Sequence, residues 1–341
     1  MPPVSSAIYG CAGLELSVWE SEFFAETNPL GLILFARNVE TPDQVRALTE
    51  AFRTIVDRSD APVLIDQEGG RVQRLKPPTW RQAPPPRIFG RLAERDPQAA
   101  VAAVELNARL LAQELLSLGI TVDCAPLLDL SMKDTHKVIG DRAFSGDTAR
   151  VATLGRAACQ GFLAGGVVPV IKHIPGHGRA NVDSHFELPQ VDATRRELEA
   201  TDFAPFRALA DAPWAMTAHV IYSAIDPDRA ATVSPTVIAE VIRGDIGFEG
   251  LLVSDDLSMQ ALSGDLSERT AAALTAGCDI ALHCNGDPSE MRQVAEAATP
   301  LSDAARRRLT RGEAQRRAPS LFDSLEAAEA LEHLLSTVAL R

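Results

Sequence analysis

Short apolar runs alternate with amphipathic stretches along most of the chain. Eight of these runs predict buried strands, because they are short and rich in aliphatic residues with little polar alternation. The predicted strands cover residues 7–14, 31–35, 62–65, 120–128, 167–173, 214–221, 251–254 and 279–282.

Helical periodicity and capping residues predict helices between these strands. Thr41 and Pro42 have the residue types of an N-cap and a first helical position, and Asp96-Pro97 opens a longer helix that Gly119 ends. Further helical patterns cover residues 148–163, 195–209 and 234–242, and the chain is helical and charged from about residue 286. A proline-rich loop is predicted over residues 76–86.

A regular alternation of strands and helices predicts an α/β fold, specifically a single-domain (β/α)8 TIM barrel over residues 1–341 with a helical C-terminal segment. An open doubly wound sheet is the competing architecture. Polar residues at the strand ends favour the barrel, because a barrel would bring them all to one mouth. They are Arg37, Asp66, Lys172, His173, His219, Asp255 and His283.

The charge balance excludes some partners. Lys and Arg total 33 against 46 Asp and Glu, a formal net charge of −13. Such a chain is not expected to bind nucleic acid or an anionic membrane surface.

The compartment is predicted from segments that the sequence lacks. The first residues have neither a basic region nor a long apolar region, and no apolar run approaches the roughly 20 residues of a membrane span. The five cysteines are widely spaced and are expected to be reduced core residues. We therefore expect a cytoplasmic protein without a membrane partner, and we expect a monomer.

Three histidines close together, His173, His177 and His185, raise the question of a metal site. The first two have the spacing of a helical ligand pair, but Pro175-Gly176 lies between them and no glutamate follows His173 as in zinc proteases. No carboxylate-rich or cysteine cluster accompanies them. We expect no metal and no organic cofactor.

The triplet Asp183-Ser184-His185 has an aspartate two residues before a histidine. A carboxylate that accepts the imidazole N–H fixes the tautomer and raises the basicity of the other ring nitrogen. The alternative is a solvated loop histidine. Gly176 and Gly178 in the same loop would allow it to swing over a site.

Other candidates follow the predicted strands. Asp255-Asp256 ends the seventh strand, where a carboxylate can act as nucleophile, base or metal ligand, although Asp256 could simply cap a helix. Residues 66–74 place two carboxylates and two arginines around a Gly-Gly turn, a set that can bind sugar hydroxyls and carbonyls. The sequence contains no Walker A, G-x-S-x-G or dinucleotide-binding motif.

Four segments together resemble glycoside hydrolase family 3, in particular its bacterial cytosolic β-N-acetylglucosaminidases. They are residues 65–75, 138–142, 172–178 with 183–185, and 253–259, in the order typical of that family. The similarity extends over roughly residues 7–290. One departure is Ile174, where many relatives have phenylalanine.

The resemblance implies a role for each matching residue. Asp255 corresponds to the nucleophile that forms a glycosyl-enzyme, His185 to the general acid/base and Asp183 to its partner. The residues implied to bind N-acetylglucosamine are Asp66, Arg74, Arg142, Lys172 and His173. The choice of Asp255 over Asp256 rests on the resemblance alone.

The implied activity is retaining removal of terminal β-linked N-acetylglucosamine from peptidoglycan fragments (N-acetylglucosaminyl-1,6-anhydro-muropeptides) in the cytoplasm. A histidine in place of a carboxylate acid/base leaves open a phosphorylase, in which phosphate replaces water. Two other classes also stay open: a metal-dependent amidohydrolase using His173, His177 and Asp255, and a noncatalytic sugar-binding module.

Overall fold

Eight parallel strands close into a barrel, which confirms the predicted fold class. The structure, a computed structural model, describes residues 2–132, 139–180, 184, 187–319 and 322–339. In chain order the barrel strands are β1 (Ser5–Gly10), β2 (Pro29–Leu34), β3 (Val63–Ile65), β4 (Val122–Asp123), β5 (Val168–Ile174), β6 (Trp214–Thr217), β7 (Leu251–Asp256) and β8 (Ile280–His283). Each strand pairs in parallel with its neighbours in sequence, and β8 closes the barrel on β1.

All eight predicted strands are barrel strands, but three of them are shorter than predicted. β1 ends at Gly10 rather than at residue 14, because the next carbonyl, that of Cys11, accepts hydrogen bonds from the side chains of Arg37 and Asn38. β6 ends at Thr217, and residues 221–222 pair outside the barrel. Regular pairing in β4 covers two residues, although the chain beyond it still bonds to its neighbours: Cys124 N–H donates to the Ile65 carbonyl and Leu128 N–H to that of Lys172.

Helices cover the outside of the barrel. They are α1 (Val18–Thr27), α2 (Pro42–Ile55), α3 (Pro86–Ala93), α4 (Pro97–Leu116), α5 (Thr148–Ala164), α6 (Arg195–Ala200), α7 (Ala204–Ala208), α8 (Leu266–Ala276), α9 (Pro288–Ala297), α10 (Asp303–Glu313) and α11 (Ser324–Ala339). A π-helical segment, Val237–Asp245, precedes β7. Thr41 caps α2 through Gln44 N–H and Asp96 caps α4 through Ala99 N–H, as predicted.

The predicted helix over residues 195–209 is two short helices. Thr201 ends α6, and Pro205 lies in the first turn of α7. Proline has no N–H, which is tolerated in a first turn but would interrupt the hydrogen bonds of a helix that continued from α6. Helices α1, α3 and α8 have no counterpart in the predictions.

Side chains that alternate along the strands separate two apolar layers. Ile33 of β2 points into the barrel with Leu64 and Val253, whereas Leu32 and Leu34 pack toward the helices. This alternation fills the barrel with side chains and leaves the carboxyl ends of the strands free for polar residues. All five cysteines are buried and unpaired, as predicted.

Two small sheets lie outside the barrel. Gln67–Gly69 and Val72–Gln73 form an antiparallel hairpin directly after β3. Gln190–Val191, Ile221–Tyr222 and Asp226–Ala230 form a three-stranded sheet near the ends of β5 and β6. Within the described ranges, no helix has both the length and the apolar character that crossing a membrane requires.

Candidate active site

A cavity of about 320 Å³ lies at the carboxyl ends of the strands. This volume is at the lower end of the range for ligand sites, roughly 300–1,000 Å³. The six predicted site residues in the described part of the chain all line it: Asp66, Arg74, Arg142, Lys172, His173 and Asp255. Asp183 and His185 lie outside the described residues.

A buried lysine joins two carboxylates on one wall of the cavity. The Nζ atom of Lys172, in β5, lies 2.7 Å from Asp66 Oδ1 and 2.7 Å from Glu68 Oε1. Asp66 follows β3, and Glu68 belongs to the hairpin that continues it. The barrel thus brings together residues that are 106 positions apart in sequence.

Two arginines complete this group. Arg74 donates to Asp66 Oδ2 at 3.0 Å, and its guanidinium lies over the ring of Phe35. Arg142 makes a two-pronged contact with Glu68, at 2.9 Å from Nε and 2.8 Å from Nη2. Three cations therefore share two anions, and the group has one net positive charge.

Mutual attraction keeps these groups ionised although they are buried. Burial by itself would raise the pKa of Asp66 and Glu68, but the cations beside them hold the pKa of both carboxyls below the usual value. Burial would lower the pKa of Lys172, yet the two carboxylates raise it above its usual value. The wall therefore presents fixed charged donors and acceptors to a polar ligand at neutral pH.

Asp129 orients the histidine at the end of β5. Its Oδ2 lies 2.7 Å from Nδ1 of His173, and Oδ1 accepts the backbone N–H of His177 at 2.7 Å. Burial opposes ionisation of Asp129, but the adjacent His173 lowers the pKa of the carboxyl to about 2. The carboxylate therefore places a proton on Nδ1 of His173 and leaves Nε2 without a partner among the described residues.

The two adjacent aspartates at the end of β7 have different environments. Asp255 Oδ1 accepts the N–H of Asp256 at 2.8 Å, and Oδ2 has no hydrogen-bond partner in the described ranges. Asp256 instead accepts from the N–H and hydroxyl of Ser258 and from the N–H of Cys284. Asp256 thus holds a turn, and Asp255 has the carboxylate oxygen that is available to a ligand.

Asp255 stays ionised in this environment. Burial would raise the pKa of Asp255, but the rings of His219 and His173, the Asp256 N–H and Lys172 together lower it below its ordinary value. An anionic carboxylate with an unbonded oxygen can act as a nucleophile.

His177 contacts Ser184, which stands between the other two predicted residues in the sequence. Its Nε2 lies 3.1 Å from Ser184 Oγ, and Ser184 itself lines the cavity. Burial and the nearby His173 lower the pKa of His177 to about 4, so this ring is neutral at pH 7. Ser184 is the described residue between Asp183 and His185.

The seven polar strand-end residues lie at the carboxyl ends of the barrel strands, as predicted, but Arg37, His219 and His283 do not line the cavity. The guanidinium of Arg37 binds the backbone carbonyls of Cys11 and Cys284. Both histidines are fully buried, and neither of them contributes to the cavity wall.

Asp129 and Thr217 also contribute to this region, although no site role was predicted for them. Glu68 belongs to the predicted sugar-binding stretch 66–74, and His177 was considered only as a metal ligand. The position of Asp129 could have been recognised, because it directly follows the fourth predicted strand and is polar, like the other strand-end residues. No comparable signal marks Thr217, which is a single hydroxyl in a buried apolar strand.

A larger hollow of about 550 Å³ lies beside the amino end of β7. Four arginines, at positions 243, 307, 308 and 311, line it with Phe248 and Glu249. None of the predicted site residues lies there, and Arg243 and Arg308 are both paired with Asp279.

The sequence matches the family described as "Glycosyl hydrolase family 3 N terminal domain" over residues 16–311. A protein named beta-hexosaminidase from Alkalilimnicola ehrlichii is 42% identical over 301 residues, which are 86% of this chain and 85% of that relative. Another beta-hexosaminidase, from Pseudomonas aeruginosa, is 42% identical over 258 residues, 75% of each chain.

Similarity to solved structures agrees with this family match. The chain superimposes on native NagZ from Neisseria gonorrhoeae with a TM-score of 0.86 and 30% identity, covering 99% of both chains. It superimposes on a glycoside hydrolase family 3 beta-N-acetylglucosaminidase from Paenibacillus sp. with a TM-score of 0.84 and 30% identity. That match covers 96% of this chain and 66% of the Paenibacillus chain.

Proposed function

The chain belongs to glycosyl hydrolase family 3, and we infer from this membership and from the cavity that it hydrolyses terminal β-linked N-acetylglucosamine. It is a glycoside hydrolase of the β-N-acetylhexosaminidase type. The observation that carries the proposal is Asp255, an ionised carboxylate with one unbonded oxygen in a cavity of one-sugar size.

We propose that Asp255 Oδ2 attacks the anomeric carbon of the bound sugar. His185, partnered by Asp183, donates its proton to the glycosidic oxygen, so the aglycone leaves as an alcohol and the sugar stays bonded to Asp255. In the second step His185 removes a proton from water, the water oxygen bonds to the anomeric carbon, and Asp255 leaves as a carboxylate. Water is added overall, and the anomeric configuration is retained.

The environment of Ser184 supports this assignment of the acid/base pair. Ser184, which stands between Asp183 and His185 in the sequence, lines the same cavity as Asp255 and is held by His177. Histidine has an ordinary pKa of about 6.5, which suits a group that both donates and accepts a proton near neutral pH.

The charged wall is proposed to bind the sugar. Asp66 and Nε2 of His173 would accept hydrogen bonds from sugar hydroxyls. Arg74, Arg142 and Lys172 would donate to hydroxyl or acetamido oxygens. These side chains are already fixed by their ion pairs, so little conformational entropy is lost when a sugar binds. The small cavity favours one terminal residue, which is exo action.

We further propose peptidoglycan fragments as the substrates and the cytoplasm as the compartment. The NagZ structures among the similar proteins support this role, and one of them is a complex with N-trifluoroacetyl-D-glucosamine. A monomeric state stays a prediction. In the described ranges no group of three His, Cys, Asp or Glu side chains is placed to hold a metal ion, so nothing there favours the amidohydrolase alternative.

Release of nitrophenol from a β-N-acetylglucosaminide, with and without phosphate, tests the proposed function. We expect turnover that needs no phosphate, and a loss of roughly 10³-fold or more in Asp255→Asn. Asp256→Asn is the matched control; because an asparagine oxygen can still accept hydrogen bonds in the turn, we expect it to lose less than about 10-fold.

An inactive parent protein, or an Asp255→Asn variant as active as the parent, would contradict the assignment. Sugar phosphate as the main product would make the protein a phosphorylase instead.

A further inference from the structure

We propose that Thr217, Thr232 and His219 form a hydrogen-bonded relay that positions the nucleophile Asp255. This Thr–Thr–His relay lies beside the end of β7, and none of its members lines the cavity. The inference rests on the proposed function, since it concerns how that nucleophile is oriented.

The relay connects the two ends of the Asp255-Asp256 pair. The N–H of Asp255 donates to Thr217 Oγ1 at 3.2 Å, and the Oγ1 atoms of Thr217 and Thr232 are 2.7 Å apart. Nδ1 of His219 lies 2.7 Å from Thr232 Oγ1, and Nε2 lies 3.0 Å from the carbonyl oxygen of Asp256. The relay thus starts at the N–H of one aspartate and ends at the carbonyl of the next.

The direction of each hydrogen bond in the relay follows once His219 is neutral. The Asp256 carbonyl can only accept, so Nε2 of His219 must carry a proton. In a neutral imidazole Nδ1 then accepts. The Thr232 hydroxyl has two acceptors within reach, Nδ1 of His219 at 2.7 Å and the carbonyl oxygen of Ala218 at 3.1 Å, and its proton goes to the closer Nδ1. Thr232 has no second proton, so Thr217 donates to Thr232 and has a lone pair left to accept the Asp255 N–H.

A neutral His219 is consistent with its surroundings. Burial lowers the pKa of His219, and all three members of the relay have no exposed surface. The charged or titratable groups that face the ring are Asp255, Asp256 and His173. If the ring were cationic, Nδ1–H would donate to Thr232, and the Thr232 proton would go to the carbonyl of Ala218 or to Thr217 instead.

The relay has a consequence for the nucleophile. It fixes the peptide groups on both sides of the Asp255-Asp256 pair, and the Asp256 N–H between them then points to Asp255 Oδ1. Oδ1 is therefore held, and Oδ2 is left for a ligand in the cavity that Asp255 lines. Buried hydroxyl and imidazole groups are costly unless bonded, and each member of the relay is bonded to its neighbour.

Substitution at Thr217 tests the proposal, with Thr217→Ser as the conservative rescue. Thr217→Val removes the acceptor for Asp255 N–H and keeps the shape. We expect the burst rate of nitrophenol release to fall at least about 10-fold in Thr217→Val and less than about 3-fold in Thr217→Ser. The affinity for N-acetylglucosamine, measured by calorimetry, should stay within about 3-fold in both, since the binding wall is untouched.

Thr270→Val is the matched control, because Thr270 is also fully buried and its hydroxyl has no hydrogen-bond partner in the described ranges. It should leave the burst rate unchanged. Two outcomes overturn the proposal. The first is a burst rate in Thr217→Val equal to that of the parent. The second is a loss of N-acetylglucosamine affinity as large as the loss of burst rate, which would indicate general damage to the site.

Nitrogen NMR of the parent protein tests the donor order without any substrate. We expect His219 as the neutral Nε2–H tautomer at pH 7. An Nδ1–H tautomer or a cationic ring at that pH contradicts the relay. A parent that shows this tautomer but releases no nitrophenol would contradict the proposed function alone.

Discussion

At the scale of single residues, the cavity depends on buried side chains that are each held in one charge state. Lys172 forms ion pairs with two carboxylates. Asp129 accepts hydrogen bonds from two backbone N–H groups and from a histidine ring nitrogen. Removing one member of such a group leaves an uncompensated buried charge, which typically costs about 3–5 kcal/mol. The charges are therefore fixed before a ligand arrives.

His177 allows a prediction about pH and stability. In the folded protein its pKa is about 4, whereas an unfolded histidine takes up its proton near 6.5. The unfolded chain therefore binds more protons between these values, and the free energy of unfolding should fall as the pH drops through this range. The parent should lose free energy of unfolding when the pH is lowered from 7 to 5. In His177→Gln we expect this loss to be smaller by roughly 1–2 kcal/mol, because residue 177 no longer titrates.

Urea unfolding at the two pH values measures this difference. The matched control is His333→Gln, on the exposed surface of α11, which should keep the pH dependence of the parent. If His177→Gln also kept it unchanged, His177 would not be buried in its neutral form.

The sequence could identify most of these residues but not their partners. Asp66 and Lys172 were recognisable as polar residues at the ends of apolar strands. That Lys172 pairs with Glu68 as well could not be predicted, because the contact depends on a hairpin that returns over the mouth. The difference between Asp255 and Asp256 likewise depends on the turn at Ser258 and Cys284.

At the scale of secondary structure, the hairpin after β3 carries two of the charged groups into the cavity. Gln67 holds it together: its side-chain oxygen accepts the N–H groups of Arg74 and Leu75 at 2.9 and 3.1 Å. Its backbone N–H donates to Asp123, a buried carboxyl in β4 whose pKa burial raises to about 8.

We expect Gln67→Met to displace Arg74 and so raise the KM at least about 10-fold. The substitution keeps the size of the side chain but leaves two buried N–H groups without an acceptor, each costing about 1–3 kcal/mol. Steady-state kinetics and urea unfolding test the two effects together. The control is Gln98→Met, at an exposed position of α4, which should change neither the KM nor the stability. A Gln67→Met variant with the parent's KM would show that Gln67 does not position Arg74.

Boundaries of elements were predicted well only where a local signal exists. Thr41 and Asp96 cap their helices as predicted, because capping depends on residues three positions apart. The end of β1 could not be predicted, since the side chains of Arg37 and Asn38 that bind Cys11 come from a later segment.

At the scale of the whole molecule, the barrel was predictable because the alternation of strands and helices follows from local sequence patterns. The close contacts between distant segments were not. Gly90 of α3 is an example: a Cβ atom there would lie 1.7 Å from the carbonyl oxygen of Phe144, two residues after Arg142. The helix can approach this segment only because residue 90 has no side chain.

We therefore expect Gly90→Ala to lower the free energy of unfolding by roughly 1–3 kcal/mol, since the backbone must shift to admit the methyl group. Activity should also fall, because the shift reaches Arg142. Urea unfolding measures the first effect. Gly13→Ala is the control, as its nearest neighbour would be 4.0 Å from the new Cβ, and equal stabilities of the two variants would contradict the packing described.

The most direct test of Asp255 as nucleophile is to trap the sugar on the protein. A fluorinated N-acetylglucosaminide that slows the second step would be mixed with the enzyme, quenched in acid and digested with trypsin. The peptide of residues 244–269 contains both Asp255 and Asp256, and fragmentation in the mass spectrometer separates them. We expect the N-acetylglucosaminyl group on Asp255; a group on Asp256 or on any other residue would contradict the mechanism.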